Sequence, residues 1–344
     1  MATMKEIAAL AGLSRGTVDR VLNNRGNVSK ETIDKVMQVA DSLNYAPSRV
    51  AKSLAARKHN ILLTFLMPDP HLIPFFSQVE EGALHAAQEL KESGATVQLQ
   101  FTSGWDEEEY LEKLNSAVRE HSDGIAIAGP DTPRIASRLM QIGKAGIPVI
   151  TVNTEIRRSG CLAYVGSNAY CAGKTAAGLI NLFMRDEIRI GIIFGFANNS
   201  CHMERITGLR DGLKELGRQW HECFFLSNQE DEFESYDLVK EACCRQPAVN
   251  VLYFATGNGV YGGCRAVEKL KMPQPPKIIC HDEQENLRKM FQNKLITATI
   301  CQEPKRQGEY PLKVLFDYLA LGVRPVGEQL YTDANILTCE SFLE

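Results

Sequence analysis

The sequence predicts an α/β protein with three parts: a small all-α head, a short hinge helix, and a two-lobed body of doubly wound parallel sheets. Three observations carry that prediction. Between Ile61 and Cys280, apolar runs of strand length alternate with stretches of helical periodicity, and the alternation passes through two cycles. Ahead of Pro47 there are only short amphipathic helical stretches, the second entered through an Ala11-Gly12 break. Charge divides the same way. Residues 1–60 hold ten Lys/Arg against five Asp/Glu, a net +5, while the remainder carries −9, giving −4 for the whole chain. A basic head on an acidic body suits a head that meets phosphate.

Composition bounds the rest. At 344 residues the chain has room for two or three domains, and 44% hydrophobic with 23% charged residues is ordinary globular composition. Apolar runs stay well short of the roughly 20 residues a membrane helix needs, and the start MATMKEIAAL lacks the layout of a signal peptide. The cytoplasm is therefore the expected compartment, with no membrane role. All ten cysteines follow Gly160 and none is in CxxC spacing, so free thiols are expected rather than disulfides or a metal site.

The head is expected over residues 1–46. Thr3 and Glu6 form a capping box ahead of a first helix striped by Ile7, Leu10 and Ala11. Ser14 caps a second helix that turns Val18, Val21 and Leu22 to the core and leaves Arg15, Gly16, Asp19, Arg20 and Asn23 outward. Ser29 caps a third, with the stripe Ile33, Val36, Met37, Ala40 and Leu43, ending before Tyr45-Ala46-Pro47. This is the outline of a helix-turn-helix. An arginine fork near the start of the second helix can bind guanine O6 and N7 together, and Gly16 permits close approach. Thr3, Lys5, Ser14, Thr17 and Ser29 are donors of the kind that meet phosphates. Asp19 is dissonant, since a carboxylate facing DNA costs affinity. A hinge follows over 47–58, where Ser48 to Ala56 reads as one helix too short to be stable alone.

The run from Ile7 to Leu54 resembles, nearly position by position, the DNA-binding head and hinge of the LacI/GalR (lactose-repressor) family. The resemblance implies that Arg15 and Gly16 set operator sequence and that Arg20 and Asn23 contact DNA. On the hinge it implies contacts from Ala51 and Leu54, with Leu54 wedged into the minor groove. Asp19 departs from the family's usual Ser, and Ser48 from its Asn.

The body is expected over 59–344. Strands are expected at 61–67, 96–101, 124–128 and 148–152, with helices over 75–93, 106–121 and 135–145 between them. The pattern restarts at Tyr164, with helices over 172–184, 204–216, 235–244 and 262–271 and strands at 189–194, 223–226, 251–255 and 277–280. Two such lobes leave a cleft at the carboxyl ends of their strands. The segments MPD (67–69), PFF (74–76), YVGSN (164–168), HDE (281–283) and TATICQEP (297–304) are similar to the periplasmic-binding-protein type 1 core of the same family. By that resemblance the chain crosses between lobes near 158, 300 and 325. The N-lobe is then about 59–158 plus 301–324, and the C-lobe about 159–300 plus 325–344.

The resemblance also places Asp69, Phe75, Phe76, Asn153, Arg205, Thr256, Asp282 and Gln302 around the cleft. An Arg and an Asp across a closing cleft, over aromatic rings, suit a small polyhydroxylated ligand. Three departures change polar contacts: Ile73 for Asn, Asn153-Thr154 for Asp-Arg, and Thr256-Gly257 for Asn-Asp. They leave open a modified sugar, a phosphorylated one, or a ligand that is not a sugar.

Nucleotide, zinc-protease and nucleophile-elbow motifs are all lacking, so no catalytic residues, cofactor or metal are expected. The expectation is a DNA-binding transcriptional regulator, a repressor, controlled by a small-molecule effector. Its partners are a near-palindromic operator, a sugar or sugar derivative, and a second copy of itself, in a homodimer or a larger assembly built from it. A sugar-binding transport component and a cleft enzyme with a DNA-tethering head are the alternatives.

Overall fold

The computed structural model describes residues 4–22, 28–42, 60–197 and 199–342. In the head, α1 (Met4–Ala11), α2 (Arg15–Leu22) and α3 (Lys30–Ser42) close around Ile7, Ala8, Ala11, Val18, Val36 and Ala40. Gly12 takes a left-handed turn (φ 64°) between α1 and α2, a conformation that glycine adopts without a side-chain clash. Leu10, Ile33 and Met37, expected in that core, are instead exposed at 63%, 37% and 45%. Ala8 takes one of their places, because with only three short helices small residues at the crossings let the backbones approach. The hinge expected at 47–58 lies outside the described residues.

The body holds two six-stranded sheets. The first has the order β11-β5-β4-β3-β1-β2, all parallel. It is built from β1 (Ile61–Pro68), β2 (Ala95–Thr102), β3 (Gly124–Ile127), β4 (Val149–Val152), β5 (Ala163–Gly166) and β11 (Gln329–Tyr331). Helices α4 (Phe75–Glu92) and α12 (Pro304–Leu321) cover one face, and α5 (Glu107–Arg119) and α6 (Pro133–Lys144) the other. Strand alternation feeds both cores: Leu63, Phe65 and Met67 pack under α4 and α12, while Leu66 points to α5 and α6. That two-sided burial is why β1 reads as one continuous apolar run.

The second sheet, β12-β10-β9-β8-β6-β7, is parallel except for β12 (Asn335–Leu337), which runs antiparallel to β10 (Ile296–Cys301). Its other strands are β6 (Ile188–Phe194), β7 (Trp220–Ser227), β8 (Val251–Phe254) and β9 (Lys277–His281). One face is covered by α7 (Ala169–Phe183) and α8 (Ser200–Glu215), the other by α9 (Glu232–Arg245), α10 (Val260–Leu270) and the short α11 (Arg288–Gln292). All ten cysteines are free thiols. Among the described residues no helix is long and apolar enough to cross a membrane.

Strand pairing corrects two of the expected crossings. β5 lies beside β4 in the first sheet, so the first passage falls after Gly166, not near 158. β11 also pairs in the first sheet and β12 in the second, which moves the third passage from near 325 to between Tyr331 and Asn335. The second passage lies between Cys301 and Pro304. The first error has a plain cause: β4 connects to β5 without a helix, so in sequence β5 looks like the start of a new cycle.

Candidate functional site

The carboxyl ends of the two sheets face one cleft, and each loop there delivers between one and four residues. Ile73, Phe75 and Phe76 follow β1, Trp105 follows β2, and Asn153 follows β4. From the other lobe come Asn199, Cys201, His202 and Arg205 after β6, Glu230 after β7, Thr256, Gly257 and Asn258 after β8, and Asp282 after β9. Gln302 stands on the second passage between lobes. Asn153 and Asp282 hold left-handed backbone (φ 63° and 66°), uncommon for residues with a side chain. The free volume there is about 30 Å³, room for water rather than for an organic ligand. Any larger ligand therefore requires the lobes to part.

The polar network has a centre at Gln302. Its Nε2 donates to both carboxylate oxygens of Asp282, at 3.0 and 3.1 Å. Its Oε1 accepts from Ser167 Oγ at 2.9 Å, and its backbone carbonyl accepts from Thr332 Oγ1 at 2.9 Å and Gln307 Nε2 at 2.8 Å. Ser167, Gln302 and Thr332 belong to the three passages between lobes, so one residue, through its side chain and its backbone carbonyl, ties those passages to the Asp282 carboxylate. Arg205 is 2% exposed. Its Nη1 donates to Ala255 O at 2.9 Å, and its Nε has no partner. Among the described residues Arg205 and Asp282 do not form a direct ion pair; each is held by uncharged neighbours, which leaves both with hydrogen-bonding capacity for a ligand.

Burial sets the charge states. It lowers the His202 pKa to about 3, with the Arg205 charge acting in the same direction, and it holds His281 well below the usual imidazole range. Both rings are neutral near pH 7. Burial raises the Asp282 and Glu230 carboxyls; Arg205 and Gln302 work against this at Asp282, and Asn258, Trp105 and Arg205 at Glu230. Outside the cavity an ion pair between Arg157, on the loop after β4, and Glu204 of α8 joins the two lobes.

Seven of the eight residues expected at the cleft line this space: Phe75, Phe76, Asn153, Arg205, Thr256, Asp282 and Gln302. Asp69 does not. Its Oδ1 accepts the His71 backbone N–H at 2.8 Å and shapes the turn after β1, so its role is in the loop that carries the phenylalanines. Phe76 also packs in the core of the first lobe, and the ring edge of Phe75 meets it at 5.2 Å. Sequence reasoning missed Trp105, Asn199, Cys201, Glu230 and Asn258 and gave His202 no role. The signal was present in two helix caps. Asn199 accepts from Cys201 N and Asp231 from Glu234 N, and each cap starts its helix one turn earlier than the apolar stripe does. The first extra turn carries Cys201 and His202 into the cleft, and Glu230 stands just ahead of the second cap.

On the head, Arg15, Gly16 and Arg20 are exposed on α2. Ser14 Oγ accepts from Thr17 N at 3.1 Å, and Ser29 Oγ from Thr32 N at 3.3 Å, capping α2 and α3. A Cβ on Gly16 would meet only Ser14 Oγ, at 3.8 Å, so the glycine is open to an approaching surface. Thr3, Asn23, Ala51 and Leu54 lie outside the described residues, as do the side chains of Lys5 and Asp19.

Comparison with known proteins agrees with both halves. Residues 3–48 match the domain described as bacterial regulatory proteins, lacI family, and residues 64–322 match the periplasmic binding protein domain. The ribose operon repressor of Haemophilus influenzae is 27% identical over 321 residues, covering 92% of this chain and 91% of that protein. The Escherichia coli ribose operon repressor is 26% identical over 320 residues, covering 92% of each. Among solved structures, a glucose-galactose binding protein from Geobacillus stearothermophilus superposes with a TM-score of 0.74 over 81% of this chain and 98% of its own, at 23% identity. That last likeness is one of fold. A match to repressors along most of the chain, joined to a two-lobed body with a charged cleft, leads to one assignment: the chain belongs to the periplasmic binding protein domain family through its body and carries a lacI-family regulatory domain as its head.

Proposed function

We propose that this protein represses transcription by binding a near-palindromic operator as a homodimer, and that a small polyhydroxylated molecule held between the lobes resets its operator affinity. It does no chemistry on that molecule. The head over 1–46 reads bases through Arg15 and Gly16, and the hinge over 47–58 folds against its twin on DNA, with Leu54 in the minor groove. One small head makes too few contacts for tight specific binding, so a dimer matches a two-fold operator.

The observation that carries the reading is the link from Asp282 through Gln302 to Ser167 and Thr332. A ligand that competes for Asp282, or fills the space beside it, changes the hydrogen bonds that set the lobe angle. Coupling then needs only a difference in ligand affinity between two lobe arrangements. Relatives named for ribose operons favour a monosaccharide-sized effector. A thermal-shift panel of sugars, sugar phosphates, polyols and nucleobases tests this, because ligand bound to the folded state raises its melting temperature. A shift confined to nucleobases, or none at all, contradicts the sugar-like effector.

A further inference from the structure

Glu230 has no role in the proposed function, yet the fold goes to some length to place it. It and its neighbour Gln229 both hold left-handed backbone (φ 62° and 49°), a strained conformation for residues with side chains. The side chain is 10% exposed and enters the cleft beside Gly195, where a Cβ would come within 2.5 Å of Glu230 Cγ and 2.9 Å of His202 Cε1. A larger residue at 195 would displace the carboxylate from the cleft wall.

That carboxylate is poorly satisfied. Asn258 Nδ2 donates to Oε2 at 3.3 Å, while His202 Nε2 stands 3.6 Å from Oε1. Trp105, from the opposite lobe, also turns its indole N–H toward the carboxylate, but outside good hydrogen-bond geometry. A carboxylate has about four acceptor positions, so these long contacts leave it capacity for a ligand that enters when the lobes part. Charge shows the same deficit. The groups around Glu230 are Arg205, Asp282, His202 and the uncharged Asn258 and Trp105. With His202 neutral, one guanidinium stands against two carboxylates.

We infer that the effector of this cleft carries an ammonium group as well as hydroxyls, as an amino sugar or amino polyol does, with its nitrogen donating to Glu230 and its hydroxyls shared by Arg205 and Asp282. This rests on the reading that the cleft takes a small polyhydroxylated molecule. A hydroxyl gives Glu230 one neutral hydrogen bond and leaves the second buried carboxylate uncompensated. An ammonium offers three donors and the missing positive charge. Burial already raises the Glu230 carboxyl, so the ammonium binds the ionised form and is released as pH falls through that raised value.

The test uses the full-length protein and matched pairs that differ by one amino group: D-glucosamine with D-glucose, D-galactosamine with D-galactose, and 1-amino-1-deoxysorbitol with sorbitol. Calorimetric and thermal-shift affinities are expected to favour the amino member of at least one pair by about tenfold or more, the size of a charge-assisted hydrogen bond. Glu230→Gln, with folding checked by its melting transition, is expected to bring the two members of that pair level. In the unmutated protein the preference is expected to shrink as pH is lowered from about 7 toward 5, which tests the idea even if the variant fails to fold. A neutral member that binds as well as or better than its amino twin overturns the ammonium inference and leaves the polyol reading standing. No response to either member of any pair overturns both.

Discussion

Gly173→Ala offers a test of how the fold positions Arg205. Helices α7 and α8 cross glycine to glycine. A Cβ at Gly173 would lie 1.9 Å from Arg205 O, and one at Gly208 would lie 2.0 Å from Tyr170 O. Ordinary contact begins near 3.4 Å, so an alanine at 173 requires α8 to recede by about 1.5 Å. The Arg205 Nη1 bond to Ala255 O, now 2.9 Å, leaves hydrogen-bond range under a comparable shift. Overpacking of this kind costs about 1–3 kcal/mol. The expected result is a melting temperature lower by several degrees, together with at least a tenfold loss of effector affinity in thermal shift or calorimetry. Gly178→Ala, on the same helix with no heavy atom within 4 Å, is the control. It is expected to be neutral or stabilising by up to about 1 kcal/mol. Equal effects of the two alanines on stability and effector binding would refute the crossing argument.

Two further outcomes follow from the structure and one from the sequence. Arg205→Ala is expected to abolish the effector's influence on operator binding, measured by gel shift with and without ligand; an unchanged response removes Arg205 from the site. His202 is neutral in the fold with its pKa near 3, against about 6.5 when unfolded. The unfolded state takes up that proton first as pH falls, so stability present above pH 6.5 is lost below it. Between pH 7 and pH 5 the native protein is expected to lose about 2 kcal/mol relative to His202→Gln, read from denaturant midpoints; parallel curves would contradict a buried neutral ring. Leu54→Ala is expected to weaken specific operator binding far more than non-specific binding, and equal losses in a competition assay would dismiss the minor-groove wedge.

Much of this architecture was legible because burial on both faces writes strands as unbroken apolar runs. Ile61–Met67 and Val251–Ala255 needed no context to be read. The parts that escaped share a physical cause. β5 follows β4 through a loop without a helix, so alternation alone assigned it to the wrong lobe. β10, α12 and the two short final strands were not read as elements. In α12 the buried Pro311 and the close-packed Gly308 interrupt its helical signature, and only the neighbouring sheet and α4 supply the support. In the cleft, Arg205 and Asp282 came through a family resemblance, whereas Glu230 sits in the polar run Asn228–Asp231, which reads as a surface loop. It meets Trp105, more than a hundred residues earlier in the chain, in the cleft wall, and sequence patterning cannot report that meeting.

The central claim is that the cleft governs the head, and the most direct measurement is operator affinity as a function of effector. Full-length protein is titrated onto its own upstream DNA at two salt concentrations, with and without the compound that gives the largest thermal shift. The account predicts a salt-sensitive, sequence-specific complex whose dissociation constant changes at least fivefold with ligand, in one direction or the other. Sequence-specific binding that is indifferent to a ligand known to occupy the cleft would contradict it.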